Sequence, residues 1–451
     1  MAWRDLRELL DDGLTGDLRR VAEPFAPRHE IAAALRQAPT EAPALLFENI
    51  AGHPGWRVAG NLIATRRRLA LALGVPVEQL ADHCAARRGQ SIDPVRADEV
   101  PVQQVVREGG DGLLGALPIL THHAEDGGPY ISIGVVMCRD PVSGERGMGV
   151  HRMMVKGGRR LTVMFANPPM SRLHAAAEAR GEPLPVVIAL GLDPATLVGA
   201  VVRGGAQGAD KLGFAGALRG RPVELAPART VPLEVPARAE IVIEGQVLPG
   251  VREAEGPFGE NTGTYFSDTS PVIEVSAITH REQPIYPGLC PGSADVDMLL
   301  WLAAGADLLA QLRAQVAGVI DLELARGTAA FSMIVSVARD CSRSEARRLA
   351  QLALALDRRL KTLTIVNDDI DIRDPHDVAW AIATRWQPAR DTVVMEGTDA
   401  YVIDPSASGA GQGSKAAFIA LRAATGHDAR MRLDAAALAK AQALFRPPGF
   451  I

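Results

Sequence analysis

Cysteine is scarce in this chain, and the four that occur, Cys84, Cys138, Cys290 and Cys341, stand far apart with no Cys-x-x-Cys pair. That spacing indicates neither a disulfide framework nor a zinc site. An excess of either charge is also lacking: 48 Lys and Arg face 53 Asp and Glu, for a formal charge of -5. A dedicated nucleic-acid binder would carry a basic surplus on its binding domain, which argues against that class. Long apolar runs are missing too. The most apolar stretch, Met298 to Leu312, is interrupted by Asp307 and followed by Arg313, and it is short for a membrane span. The first ten residues, MAWRDLRELL, are charged from Arg4 onward and contain no secretory core, so a reduced, cytoplasmic protein is expected. No Gly-x-Ser-x-Gly elbow and no His-Glu-x-x-His motif is present, which leaves nucleophilic hydrolysis little support.

What is present is a chain of 451 residues, 47% apolar and 22% charged, long enough for two or three domains. Residues 3 to 20 carry Leu6, Leu9, Leu10 and Leu14 at helical spacing and predict an amphipathic opening helix. Ala44 to Phe47 reads as a short buried strand. Thr65 to Gly74 reads as a helix closed by Gly74, with Pro76 beyond it. From Leu117 to about Pro287 the pattern turns to strands, among them Tyr130–Cys138, Arg160–Phe165, Ala239–Glu244 and Val272–Ser276. Met170–Arg180 and Asp193–Val202 interrupt them as helices. After a linker helix from Asp295 to about Val316, helix and strand alternate: Ser344–Leu356, Thr362–Val366, His376–Trp386 behind the Asp374-Pro375 cap, and Val393–Met395. The expected organisation is an N-terminal α/β domain (1–112), a strand-rich, barrel-like middle domain (113–294), and a linker helix with a C-terminal α/β domain built on a mainly parallel sheet (295–451).

Several constellations could carry chemistry. In Glu255-Gly-Pro-Phe-Gly-Glu260 two carboxylates lie five residues apart around Gly256-Pro257, a pattern that reads either as a polar hairpin connection or as two acids facing one pocket. Arg152 on a strand, followed by Lys156, Arg159 and Arg160, could hold a phosphate or carboxylate, or could be a solvated basic strand and turn. Gly409 to Lys415 has the glycines of a phosphate loop but not its Gly-Lys-Ser/Thr order. Asp368, Asp369 and Asp371 lack calcium-loop spacing, and His122-His123 lacks a third ligand, so both read as structural.

With these pieces in view, the chain resembles the UbiD family of reversible decarboxylases that use prenylated FMN. The resemblance runs through Ala42–Ile50 (APALLFENI), Gly60–Ala70 (GNLIATRRRLA), Leu117–His123 (LPILTHH) and Asp126–Ile131 (DGGPYI). It continues through Phe214–Gly220 (FAGALRG), Glu255–Glu260 (EGPFGE), Asn367–Asp371 (NDDID) and Ile403–Ser406 (IDPS). It implies a central flavin-reductase-like split β-barrel between two α/β domains, a homodimer or homohexamer, a small carboxylic acid as substrate, and a flavin prenyltransferase as the supplier of the cofactor. It further implies that Arg152 pairs with the substrate carboxylate, that Glu255 orients Arg152, and that Glu260 is the proton donor. Loss of carbon dioxide leaves a carbon to be protonated, and a carboxyl group in a partly desolvated site can supply that proton. Cofactor contacts are expected from Val150, His151, Arg152, Pro169, Met170, Lys211 and Lys415.

The phosphate end departs from the family pattern. Members bind a divalent ion, usually manganese, through an Asn, a His and a Glu, and these positions here are Gly147, Met170 and Lys211. No metal ligand is expected from them, because glycine has no side chain, methionine offers a thioether and lysine is cationic. Two readings stay open at this stage. Lys211, helped by Lys415, replaces the metal's charge at the flavin phosphate; or the chain binds no cofactor or a different one and acts as a non-catalytic subunit or in another reaction.

Overall fold

The computed structural model describes residues 3–202, 210–407, 411–423, 431 and 433–444. The chain opens with Leu6–Glu8 in α-helix and Leu9–Gly13 in a wider π-turn, ending where Gly16 takes a positive φ of 79°. The predicted opening helix is therefore shorter than read, because residues 18–21 are drawn into a sheet. Leu6, Leu9, Leu10 and Leu14 are nevertheless all buried, as the spacing required. The N-terminal sheet orders residues 18–21, 44–47, 57–60 and 285–288 side by side. Arg66–Leu73 forms the expected helix, with the Thr65 side chain accepting from Arg68 N at one end and Gly74 left-handed at the other.

The middle of the chain is a closed barrel. Its strands are β1 (Tyr130–Arg139), β2 (Arg146–Val155), β3 (Arg160–Val163), β4 (Leu184–Leu190), β5 (Ile241–Gly259) and β6 (Tyr265–His280). The order β5-β4-β1-β2-β3-β6 closes through direct pairing of β5 with β6, and every neighbouring pair is antiparallel. Alternating apolar side chains such as Ile131, Met153, Leu161, Ile188, Ile243 and Ile273 pack together in one buried cluster. Three helices lean on the barrel: α1 (Met170–Ala179), α2 (Pro194–Val201) and α3 (Lys211–Arg219). Residues 105–108 add an edge strand to β6, and 285–288 return to the N-terminal sheet, so both sheets borrow a strand across the boundaries read from composition.

The linker helix runs from Ala294 to Gln315 with a π-turn at Trp301–Gly305. Beyond it, α4 (Arg343–Leu356) carries a capping box between Ser342 and Glu345. The C-terminal sheet orders residues 319–324, 332–337, 362–367, 412–420 and 392–399. Its central pairings are parallel and its two outer ones antiparallel, so the sheet is mixed rather than mainly parallel. Short connections cause this: the first two strands and the last two join without a crossover helix. Gly409 and Ala410 lie outside the described residues, and Gly413, Ser414 and Lys415 belong to a strand. Among the described residues no helix is long and apolar enough to cross a membrane.

Candidate active site

The hexapeptide is strand from Glu255 to Gly259, with the turn beginning at Glu260. Opposite β6, Glu255 pairs with Asp268 and Phe258 with Phe266, and the register shift between them places Gly256 and Pro257 in a bulge. Proline has no N–H to give to a ladder, and Gly256 has a φ of 105°, so both residues suit a bulge better than a regular strand. The turn itself comes after, where Glu260 N donates to Thr264 O and Gly263 N to Glu260 O.

This bulge is stapled to the loop that precedes β1. One Asp126 oxygen accepts from His122 N and His123 N at 3.0 and 2.8 Å. Its other oxygen accepts from Gly259 N at 2.9 Å, and Gly127 N donates to Pro257 O. The two strips of backbone touch so closely that a Cβ on Gly127 would lie 2.2 Å from Gly256 O. His122 is buried between this loop and the ring of Phe258, and burial pushes its imidazole down to about 4.

Arg152 leaves β2 and reaches across to β5. Its Nε donates to Glu255 Oε1 at 2.8 Å and its Nη1 to Glu260 Oε1. Glu255 is held from behind by Ser270 Oγ, 2.5 Å from its second oxygen. Both carboxylates are buried, and the rings of Phe258 and Phe266 lie 5.4 and 5.2 Å from the guanidinium carbon. The three residues expected to form the catalytic set are thus brought together. Ser270 and the Asp126 staple were not singled out from the residues. Ser270 sits diagonally across from Glu255 on the same face of the ladder, a relation that depends on the pairing register and leaves no local signature.

The other expected positions divide. Val150 and His151 stand beside Arg152 on β2, and Pro169 and Met170 open α1. His151 Nδ1 lies 2.9 Å from Met164 O; burial drives its imidazole down to about 4, and the nearby Lys211 charge adds to that shift. Lys211 is the first residue of α3. Its ammonium donates to Ala200 O at 2.8 Å, and burial lowers it to about 8. Lys415 lies on the C-terminal sheet, where its buried ammonium donates to Leu354 O and Asp357 O at the end of α4. Two of its three protons are therefore used inside its own domain. Lys156, Arg159 and Arg160 are likewise committed, to Ala254 O, Glu274 and Glu253 on β5 and β6, one hydrogen bond and two ion pairs across the strands.

The three positions at which the family pattern would place metal ligands have surroundings that do not fit a metal. Met170 is 1% exposed, and its Sδ lies 3.7 Å from Cys138 Sγ. A Cβ on Gly147 would meet Leu173 Cδ1 and Met170 Sδ at 2.7 Å and Cys138 Sγ at 2.8 Å. Burial pushes the Cys138 thiol up to about 12, so it remains protonated and apolar in character. Among the described residues no group of three His, Cys, Asp or Glu side chains could hold a metal ion. An apolar cavity walled by Leu6, Ile63, Ile133, Leu197 and Leu299 is a seam between the N-terminal part, the barrel and the linker helix, and it includes none of the Arg152 set.

The 3-octaprenyl-4-hydroxybenzoate carboxy-lyase family matches in three consecutive pieces: its N-terminal domain over residues 14–88, its Rift-related domain over 93–294 and its C-terminal domain over 297–420. Among solved structures, the UbiD-class enzyme HmfF from Pelotomaculum thermopropionicum in complex with FMN is 36% identical across 97% of this chain and 98% of its own, with a TM-score of 0.89. An evolved dimeric form of that enzyme in complex with prFMN is 35% identical over 97% and 98%, with a TM-score of 0.85. The apo 3,4-dihydroxybenzoic acid decarboxylase of Enterobacter cloacae is 29% identical over 98% and 100%, with a TM-score of 0.89. With all three domains matched in order and such coverage, the chain belongs to the UbiD family of carboxy-lyases.

Proposed function

We propose that this chain is a non-oxidative, prenylated-FMN-dependent decarboxylase of an aromatic, heteroaromatic or α,β-unsaturated carboxylic acid, working as a homo-oligomer. The observation that carries the reading is Arg152 suspended between two buried carboxylates, Glu255 and Glu260. The two glutamates have unequal support. Glu255 is fixed on both oxygens, by Arg152 and by Ser270, and so serves to aim the guanidinium. Glu260 follows the last residue of the strand at the start of the turn, and the Asp126 staple holds the peptide just before it.

One arginine and two ionised glutamates leave the trio with one surplus negative charge, which opposes entry of a substrate carboxylate. Taking a proton onto Glu260 brings the trio to neutrality, frees one side of the Arg152 fork for the substrate, and stores the proton that the departing carbon dioxide must be replaced by. The buried setting of Glu260, with the rings of Phe258 and Phe266 against the Arg152 guanidinium, limits the access of water to that proton. Prenylated FMN supplies the electron sink when bound. Arg152, with Val150 and His151 beside it, fits the reactive end of such a cofactor.

The reading is tested by co-expressing the chain with a flavin prenyltransferase and screening carboxylic acids of these three classes for carbon dioxide release. Release from at least one class, abolished in Arg152→Gln, is expected. A flavin-loaded protein that releases carbon dioxide from none would overturn the reading and favour the non-catalytic alternative, which the sulfur-packed Gly147 and Met170 motivate.

A further inference from the structure

The space where the family's divalent ion would be liganded has become core. A Cβ at Gly147 would press on Leu173, Met170 and Cys138, so three apolar or sulfur-bearing side chains fill the space beside it. The third position goes further, because Lys211 would repel a divalent cation rather than bind it.

Lys211 is expensive where it stands. It is half-buried, which disfavours its charge, and it occupies the first turn of α3, where the helix dipole also disfavours a cation. Among the described residues its ammonium donates to Ala200 O, in the last turn of α2. The neighbouring carboxylate, Asp210, is already paired with Arg146 and caps Leu212 N. Lys211 is near enough to His151 to oppose its protonation, and His151 is the residue next to Arg152. A half-buried, costly cation therefore stands close to the proposed catalytic strand, at the position where the family pattern has an acidic ligand.

We infer that this chain holds the phosphate of its flavin through the Lys211 ammonium, with no divalent ion. The inference rests on the flavin reading above and deepens it. Lys211 then supplies the positive charge and up to two further N–H donors, as a point-charge phosphate ligand.

The test titrates FMN and riboflavin into full-length, EDTA-treated protein at pH 7, following flavin fluorescence, with and without added manganese. FMN is expected to bind roughly 10- to 100-fold more tightly than riboflavin, as one charge-assisted contact allows, and manganese is expected to change neither value. Lys211→Met should erase the preference for FMN while leaving riboflavin binding unchanged, and Lys211→Arg should keep most of it. Riboflavin binding also shows that each variant is folded. Manganese that tightens FMN binding and accumulates at about one ion per flavin would overturn the inference, as would a Lys211→Met protein that still prefers FMN. Equal binding of FMN and riboflavin by the wild type would sink the Lys211 contact alone. Failure to bind either would sink the flavin reading itself, and this inference with it.

Discussion

At the scale of single residues, the site contrasts charges that are neutralised with one that is only partly so. Arg152 is flanked by two carboxylates, whereas Lys211 has a backbone carbonyl as its acceptor among the described residues. Burying a cation without an opposite charge costs stability, and replacing it by an apolar residue of similar shape removes that cost. Lys211→Met is therefore expected to leave the apo protein at least as resistant to urea as the wild type, while its FMN affinity falls. A marked loss of urea resistance would show that Lys211 is structural. Two histidines add a pH dependence of definite sign. Burial holds His122 and His151 near 4, below the ordinary imidazole value of 6.5. Between those values the unfolded chain binds protons that the folded chain does not, so stability should fall as pH drops through that window. The urea midpoint is expected to be lower at pH 5 than at pH 7, and His122→Asn should shrink that difference. An unchanged difference in the variant would remove His122 from the account.

At the scale of elements, the decisive one is the bulged end of β5. Its residues were legible as a unit, but the hexapeptide alone reads equally as a hairpin connection. Only its register against β6 shows that Gly256 and Pro257 interrupt a strand and that the turn begins at Glu260. Resemblance to a family located Arg152, Glu255 and Glu260, whose partnership spans about a hundred residues that no periodicity connects. Ser270 and Asp126 were illegible for a related reason: a hydroxyl and a carboxylate in loops and ladders carry no signature until pairing sets their neighbours. Asp126 accepts from the amides of His122, His123 and Gly259, so on the proposed reading it positions Glu260. Asp126→Asn keeps one accepting oxygen but loses the charge and an acceptor for the amides of His122, His123 and Gly259. Its kcat should fall by about 10- to 100-fold, because misplacing a proton donor by about an ångström has that cost, with flavin affinity unchanged. A variant whose flavin affinity and kcat fall together would point instead to general loosening of the barrel.

At the scale of the whole molecule, the three-part organisation was readable from the change from mixed to strand-rich to alternating pattern. The crossing of strands between parts was not, because residues 105–108 and 285–288 look like local strands and reveal their partners only in space. The parts are also tied by charge: Arg66 on the N-terminal helix pairs with Asp321 and Glu323, and Arg373 pairs with the same two acids. Gly147, Met170 and Lys211 were legible as departures from the family pattern, but their surroundings were not, since the contact of Met170 with Cys138 joins α1 to β1 across the fold. The central claim is that the proton-transfer end of this UbiD-family site remains assembled although the metal end has become core. It is tested most directly by running decarboxylation in deuterium oxide with flavin-loaded wild type and Glu260→Gln and following deuterium at the carbon that loses carbon dioxide. The wild type should deliver one deuterium per turnover and the variant should be slower by about 10²- to 10⁴-fold; a variant that exchanges and turns over at the wild-type rate would contradict the account.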